Sequence, residues 1–334
     1  MTTGDAAQSA ARPRLDPVPL VEIEAARRRL AGVALRTPLV RLDADDAGGG
    51  AEVYLKLECL QPVRSFKLRG AYNAMAKAGP AALADGVWTV SSGNMAQAVA
   101  WSARALGVPA TVFVPDTIPA VKRGNIVRYG GEVVERPLAE LSRFWATGEM
   151  KGAASRLVHP FADPNVMAGN GTIGLEILED LPDVDAIVVP WGGGGLTCGI
   201  ASAIAALRPD VRVFASEIDA GAPLAASLAA GQPTEVPFTP NIADATSDSA
   251  VDPAMFGLAQ RLVAGSVVVD REQTVSALRL MLERNRVVAE GAAATAVAAA
   301  LTGKTGGGKI ACIVSGGNID TSLLAAILRE GAEV

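Results

Sequence analysis

The stretch AIVVPWGGGGLTCGIASAIAAL, residues 186–207, joins an apolar run to a helix-like segment through four consecutive glycines. Residues 186–190 predict a buried strand, and residues 196–209 predict a helix. Glycine permits a sharp turn whose backbone N–H groups converge on an anion at the positive end of the helix. The turn lacks the GK[ST] ending and the GxGxxG spacing of nucleotide-binding loops, so it predicts a site for a single phosphate. The alternative is a tight turn that needs glycine only for packing.

The same order of strand, turn and helix repeats along most of the chain. Such alternation predicts an α/β fold in which parallel sheets carry helices on both faces. Further strands are predicted at 53–58, 87–92, 110–115, 132–137, 211–217 and 309–318 (where a turn ends the strand), and further helices at 95–107, 120–130 and 274–285. Ligands of such folds bind at the carboxyl ends of the strands. The segments in that position are the residues before Lys67 and the turns at 91–95, 192–195 and 315–318.

The composition excludes several classes of function. The chain has 334 residues, of which 50% are hydrophobic and 19% charged, and its net charge is −5. A mildly acidic protein is poorly suited to coat nucleic acid or an anionic membrane. No window approaches the roughly 18 apolar residues of a membrane-spanning helix, and the first residues lack a secretory signal. We therefore expect a cytoplasmic protein.

Cysteine and histidine usage narrows the chemistry further. Cys59, Cys198 and Cys312 are far apart and form no CxxC pair, so we expect buried, reduced thiols rather than a structural zinc site. His159 is the single histidine, and no GxSxG motif accompanies it, which argues against a Ser-His-Asp hydrolase. We expect the chemistry to come from a cofactor or from a lysine.

Three further segments carry candidate chemistry. Lys67 lies in QPVRSFKLRG, and a lysine amine can hold an aldehyde cofactor, although most lysines are solvated surface charges. The turn 91–95, SSGNM, has backbone N–H groups that suit a substrate carboxylate, and simple helix capping is the alternative. The turn 315–318, SGGN, places a hydroxyl that suits a ring nitrogen, and a plain glycine turn is the alternative.

Together the four segments resemble the fold-type II pyridoxal-phosphate (PLP) enzymes, and among them the threonine/serine dehydratase and serine racemase branch. QPVRSFKLRGAYNAM is similar to the lysine segment of this branch, SSGNMAQAVA to its asparagine loop, GGGGL to its phosphate loop and SGGNID to its terminal serine loop. HPFADPNVMAGNGTIGLEIL is similar to the stretch that precedes the phosphate loop. The matches keep the family's order and span about residues 20–325.

The resemblance implies a fold and an activity. The fold would be that of the tryptophan synthase β-like PLP enzymes, with two domains that each contain a mostly parallel twisted sheet flanked by helices. A large PLP-binding domain would comprise 18–73 and 159–334, a small mobile domain 74–158, and a flexible tail 1–17. The activity would be that of a dehydratase (ammonia-lyase) that converts a small 3-hydroxyamino acid such as L-threonine or L-serine into a 2-keto acid and ammonia. Relatives are usually dimers, so a homodimer or a higher homo-oligomer is expected.

The resemblance also assigns roles to individual residues. Lys67 would hold PLP as a Schiff base and act as the base at the substrate α-carbon, and Ser92 could donate a proton on the opposite face. The other cofactor contacts would come from Phe66, Asn94, Gly192, Gly193, Gly194, Gly195, Leu196, Glu290 and Ser315. The substrate would be held by Ser91, Ser92, Gly93, Asn94 and Met95.

Two alternative activities remain open at this point. Ser92 matches serine racemases better than many threonine dehydratases, so a serine or amino-acid racemase with side elimination is the first alternative, and Ser92 as a mere helix cap weighs against it. Met95 stands in place of the family's histidine and Ala245 in place of a glycine. Both changes favour the second alternative, a lyase for a modified hydroxyamino acid such as 3-hydroxyaspartate.

Three further comparisons with the family pattern concern a metal, a substrate contact and effectors. Glu217 matches one ligand of the divalent-cation site of some relatives, but Pro223 stands where the second ligand is expected, so no metal site is predicted and a cation stays an open alternative. Arg143 aligns with a substrate-facing arginine, and a surface arginine is the preferred interpretation. The chain ends soon after SGGNID, which predicts a form without a C-terminal regulatory region.

Overall fold

The computed structural model describes residues 14–44, 50–153, 156–246 and 248–329, and within them ten strands and twelve helices. The strands are β1 (Leu39–Arg41), β2 (Ala51–Lys56), β3 (Val87–Val90), β4 (Ala110–Pro115), β5 (Glu132–Arg136), β6 (Arg156–Leu157), β7 (Ala186–Pro190), β8 (Arg212–Ile218), β9 (Gly265–Val269) and β10 (Gly308–Ile313). The helices are α1 (Leu20–Leu30), α2 (Lys67–Ala78), α3 (Asn94–Leu106), α4 (Ala120–Arg128), α5 (Leu138–Thr147), α6 (Pro164–Asp180), α7 (Gly195–Leu207), α8 (Pro223–Ala230), α9 (Pro253–Leu262), α10 (Arg271–Asn285), α11 (Gly291–Leu301) and α12 (Thr321–Arg329).

The strands form two sheets, and the predicted α/β class with mostly parallel sheets is confirmed. The larger sheet has the order β1-β2-β10-β7-β8-β9, and the smaller has the order β5-β4-β3-β6. All neighbours are parallel except β1, which runs antiparallel to β2 at the edge of the larger sheet. Parallel neighbours bring the carboxyl ends of β2, β10 and β7 to one edge, and this edge carries three of the four predicted ligand segments.

The central strand β7 shows why an apolar run specifies a buried parallel strand. All five of its residues are buried, so both faces of the strand are covered. Ile187 and Val189 face one side and pack in a core with Ile200 of α7. Val188 faces the other side and packs in a core that includes Val297 of α11. Strand β7 therefore ends at a rigid position, which fixes the start of the glycine turn that follows it.

A buried ionic network lies beneath the helix that begins at Lys67. Arg69 of α2 donates to both oxygens of Glu58 at 2.8 Å, and it forms an ion pair with Glu176 of α6 at 2.6 Å. Lys56 of β2 completes the network with a 2.7 Å ion pair to Glu176. The side chains of Lys56, Glu58 and Arg69 are at most 2% exposed. The network joins β2, α2 and α6, and it holds the first turn of α2 in place.

The positions of the sheets bear on the predicted domains without testing their boundaries. The strands of the smaller sheet all lie between residues 87 and 157, inside the predicted small domain 74–158. Residues 1–13 of the predicted tail lie outside the described residues. Its remaining part has no regular secondary structure, although Arg261 binds Asp16 at 3.0 Å. Among the described residues, no helix combines the length and apolar character that crossing a membrane requires.

Candidate active site

The four predicted ligand segments meet around a cavity of about 190 Å³. The segment before Lys67 pairs with the turn after β10, since the Phe66 N–H donates to the Ser315 carbonyl at 2.9 Å. The smaller sheet contributes the turn after β3. The predicted site residues that line the cavity are Phe66, Lys67, Ser91, Gly93, Asn94, Met95, Gly192, Gly193, Gly194, Gly195, Leu196, Glu290 and Ser315.

Lys67 is the first residue of α2, and it is part of the wall of this cavity. Its Nζ donates a 2.7 Å hydrogen bond to the Pro160 carbonyl and lies 5.2 Å from the centre of the Phe66 ring. Burial lowers the pKa of the Lys67 amine to about 8, and the nearby charge of Glu290 partly opposes this shift. A lowered pKa increases the neutral fraction of the amine at physiological pH, and the neutral form is the nucleophile and the base.

The turn 192–195 is a cradle in which the backbone comes close to its neighbours. A Cβ at Gly192 would overlap the Ala245 carbonyl oxygen, and a Cβ at Gly193 would overlap the Phe161 ring. Gly194 has φ +84°, a conformation that favours glycine. Helix α7 begins at Gly195, so its first N–H groups and its dipole face this turn. The donors suit a phosphate, and side chains at these positions would fill the space it needs.

Alanine at Gly192 is therefore expected to damage the cradle. Because the Ala245 carbonyl belongs to the backbone and cannot swing aside, the Gly192→Ala substitution shifts the turn, and we expect at least about a tenfold loss of phosphate-cofactor affinity together with roughly 1–3 kcal/mol of stability. Titration of the cofactor-free protein with PLP measures the affinity. Gly124→Ala is the control, since a Cβ there meets no atom within 4 Å in exposed helix α4. Equal affinity in both variants contradicts this interpretation of the turn.

Asn94 and Glu290, which line the cavity, form a hydrogen-bonded polar cluster with Asn318. Asn94 Nδ2 donates to Glu290 Oε1 at 2.8 Å, and Asn318 Nδ2 donates to Asn94 Oδ1 at 2.7 Å. Asn318 was not among the predicted site residues, although the SGGN motif contains it. These two hydrogen bonds fix the orientation of the Asn94 amide. Burial raises the pKa of Glu290 to about 7, against the lowering effect of the Asn94 hydrogen bond.

The raised pKa of Glu290 predicts a specific pH dependence of stability. Between the ordinary carboxyl pKa of 4.5 and about 7, the folded protein binds the extra proton, so the free energy of unfolding falls as pH rises through this window. Glu290→Gln keeps the shape and the Asn94 hydrogen bond but stays neutral. As pH rises from 4.5 to 8, we expect the free energy of unfolding of the cofactor-free variant to increase by roughly 3 kcal/mol relative to that of the wild type. Urea unfolding at both pH values measures this gain, and a constant difference would refute the assignment.

The turn after β3 differs in detail from its predicted use. Ser91 Oγ accepts the Gly93 N–H at 3.2 Å, and Met95 is 2% exposed. Ser92 lies in the turn but is not part of the cavity lining. Gly93, not Ser92, occupies the cap position of α3, and no side chain caps that helix. The capping interpretation of Ser92 is therefore wrong, because the chain enters the helix one residue later.

Two residues with open predictions lie away from the cavity. Both carboxylate oxygens of Glu217 are engaged, since they accept the Leu224 N–H at 2.8 Å, the Ala225 N–H at 2.7 Å and the Ser266 hydroxyl at 2.6 Å. Glu217 thus holds the start of α8, and within the described ranges no group of three or more potential metal ligands is present. Arg143 is exposed on α5 and lines none of the cavities around the site.

Several lining residues were absent from the sequence prediction. Pro160 and Phe161, which follow the single histidine, approach the cavity because His159 Nδ1 accepts the N–H groups of Phe161 and Ala162 at 3.3 and 2.9 Å. Ala245, which the sequence had already linked to the substrate, lines the same cavity next to the glycine turn. The motif HPF at 159–161 could have indicated these residues, since it lies in the loop that leads into α6.

Comparisons with known proteins agree with this geometry. Residues 31–316 match the protein family described as pyridoxal-phosphate dependent enzyme. The chain is 39% identical over 316 residues to an L-threonine ammonia-lyase of Thermotoga maritima, which covers 94% of this chain and 79% of that protein. It is 37% identical over 321 residues to the catabolic L-threonine dehydratase of Escherichia coli K12, covering 93% and 96%. The solved structure of maize serine racemase superimposes with a TM-score of 0.83 at 32% identity, over 94% of this chain and 98% of that one.

Proposed function

The chain belongs to the family of pyridoxal-phosphate dependent enzymes, and on that premise we propose that it removes water and then ammonia from a serine- or threonine-like amino acid. The resemblance drawn from the four motifs is thereby confirmed at the level of the family. The observation that carries the proposed activity is the position of Lys67, a half-buried amine with a lowered pKa that lines the same cavity as the glycine turn. Similarity to threonine ammonia-lyases and dehydratases over more than 90% of the chain supports the same activity.

The cofactor of this family is PLP, and the residues present fit it. The turn 192–195 offers backbone donors and the N-terminus of α7 for the phosphate. Asn94 is a donor for the ring hydroxyl, and Ser315 a partner for the ring nitrogen. Lys67 supplies the amine that binds the aldehyde. Bound PLP withdraws electrons from the substrate α-carbon and so stabilises the charge left when a proton is removed.

The chain's own residues account for proton transfer and orientation in this proposal. Lys67 Nζ, neutral in a large fraction of molecules near pH 8, accepts the α-proton. The Pro160 carbonyl, which accepts from Nζ at 2.7 Å, holds the amine in one orientation. The backbone of 91–93 binds the substrate carboxylate at the start of α3. Water leaves from C3, and the released enamine hydrolyses to a keto acid and ammonia.

Racemisation is the second candidate reaction, and it depends on whether Ser92 can act as a proton donor. Inversion at the α-carbon needs a proton donor on the face opposite Lys67. Ser92 lies in the turn but outside the cavity lining, and the relatives named L-threonine ammonia-lyase and L-threonine dehydratase support elimination as the main reaction. The similarity to maize serine racemase keeps inversion as a side reaction of the same site.

We also propose a domain arrangement and a cellular setting. Residues 74–158 would close over the substrate as a small mobile domain on a large domain made of 18–73 and 159–334, and this is supported by the separate sheet that these residues form. The protein would act in the cytoplasm as a homodimer or a higher homo-oligomer. Light scattering on the purified holoenzyme measures the oligomeric state.

The activity is tested on purified holoenzyme with a panel of amino acids. The panel contains L- and D-serine, L-threonine, and threo- and erythro-3-hydroxyaspartate, with keto acid and ammonia measured together. Equal amounts of both products from serine or threonine support the dehydratase. Chiral analysis of the remaining substrate detects racemisation, and inversion without keto acid would replace the dehydratase by a racemase.

A further inference from the structure

A second cavity, of about 880 Å³, adjoins the first. The two cavities share Phe161, Gly192 and Gly193 in their walls, and of these only Phe161 carries a side chain. The first cavity, of about 190 Å³, already contains Lys67 and the glycine cradle. A serine or threonine side chain would leave this space unfilled, so the second cavity offers room for a larger group next to the first.

The wall of the second cavity is aromatic. Trp145 and Phe161 lie stacked, with ring centres 5.9 Å apart and 14° between their planes. Trp191 lines the same cavity and is 1% exposed. Aromatic walls favour another ring through stacked and edge-to-face contacts.

The charges around the second cavity disfavour an acidic ligand. Asp248 and Asp252 line it, and Asp252 accepts the N–H groups of Ala254 and Met255 at the start of α9. Arg14 is the lining cation among the described residues, and it lies 3.8 Å from Asp16. A dicarboxylic substrate such as 3-hydroxyaspartate would meet two acids near its second carboxylate, which weakens its binding.

Resting on the proposed dehydratase function, we propose that the second cavity holds an aryl substituent on C3 of the substrate. The substrate class is then a 3-aryl-3-hydroxyamino acid, for which 3-phenylserine is the probe. The ring would lie against Trp145, Phe161 and Trp191, while the amino acid part occupies the first cavity near Lys67. Met95 and Ala245, the two departures that bear on the substrate, line the first cavity, which would hold the amino acid part.

The proposed reaction balances without a further reactant. Lys67 takes the α-proton and the C3–O bond breaks. The leaving hydroxyl takes up one proton and departs as water, so the proton removed from the α-carbon is balanced. The resulting enamine takes a proton at C3 to become an imine, and one water then hydrolyses the imine. The net change is 3-phenylserine to phenylpyruvate and ammonia, with no oxidant or reductant.

Binding and turnover are measured separately to test this proposal. L-Phenylalanine lacks the C3 hydroxyl and cannot eliminate water, so its dissociation constant can be read from the visible absorbance of the holoenzyme, and the ratio to that of L-alanine reports the contribution of the ring. We expect it to bind at least about tenfold more tightly than L-alanine. We expect kcat/KM for 3-phenylserine to exceed that for L-threonine by roughly tenfold or more.

Two variants fill the second cavity and leave the first unchanged. Ala254 lies in the first turn of α9, and Ala250 is exposed in the preceding loop, so Ala250→Trp serves if Ala254→Trp folds poorly. Either should remove the tenfold advantage of L-phenylalanine and keep serine turnover within about twofold. Ala229→Trp, on an exposed position of α8 outside both cavities, is the matched control.

The outcomes separate this inference from the proposed function. Turnover of serine or threonine with no advantage for L-phenylalanine, or an advantage that both cavity variants retain, overturns the aryl site alone. Tight, variant-sensitive binding of L-phenylalanine with no turnover of any hydroxyamino acid supports the aryl site and overturns the dehydratase. Release of phenylpyruvate and ammonia in equal amounts supports both.

Discussion

Replacing Lys67 with alanine is expected to lower keto-acid and ammonia formation from the preferred hydroxyamino acid by roughly four orders of magnitude. In the proposed mechanism the amine is both the covalent anchor for the cofactor and the base at the α-carbon, and no second lysine lines the described part of the cavity. The visible absorbance that PLP shows when joined to a lysine should disappear as well. Both readouts are taken on protein incubated with excess PLP.

Lys77→Ala is the matched control for this prediction. Lys77 lies on the same helix α2, is exposed, and forms an ion pair with Glu22 at 2.7 Å at the protein surface. Its loss should leave turnover and the cofactor absorbance within about twofold, because exposed ion pairs contribute about 1 kcal/mol or less. If Lys67→Ala retained the visible band, another amine would hold the cofactor, and the assignment of Lys67 would have to be abandoned.

Local patterns were sufficient for the elements that surround the site. The apolar run of β7, the four glycines and the small-residue segment of α7 predicted a strand, a turn and a helix within two residues of their observed bounds. These elements depend on short-range physics: buried apolar runs, glycine conformations and helix periodicity. For the same reason β10 and β4 were predicted closely, while the two-residue strand β6, the antiparallel edge strand β1 and the strand β9 were not.

What depends on distant contacts was not predictable from one sequence. Asn318 orients Asn94 across 224 positions in the chain, and Trp145 reaches Phe161 only because α5 packs near the loop before α6. The buried position of Arg69 was equally hidden, since LRG in a helix pattern favours an exposed arginine. Tertiary packing decides these features, and no local motif records them.

Replacing Arg69 with methionine is expected to destabilise the fold by about 3–5 kcal/mol. Methionine preserves much of the side-chain volume, but Glu58 and Glu176 lose the cation they share in a site with almost no access to water. In this variant Lys56 is the one cation that still pairs with Glu176 among the described residues. The free energy of unfolding from urea titrations measures the loss, and exposed Arg28→Met on α1 is the control, with an expected change within about 0.5 kcal/mol.

The pH dependence of this loss distinguishes an ionic origin from a packing defect. Burial alone would raise the pKa of Glu58, but the charge and hydrogen bonds of Arg69 outweigh it and hold that pKa below its ordinary value. The stability from this pair is therefore present above the ordinary carboxyl pKa and is lost as pH falls through the lowered one. The difference in free energy of unfolding between wild type and Arg69→Met should narrow toward acid pH.

Adding Glu58→Gln to Arg69→Met should recover part of the loss at neutral pH, because it removes an unpaired buried charge. A gap that neither acid nor Glu58→Gln reduces would mean that Arg69 acts by filling space, and the ionic account of the network would then be wrong.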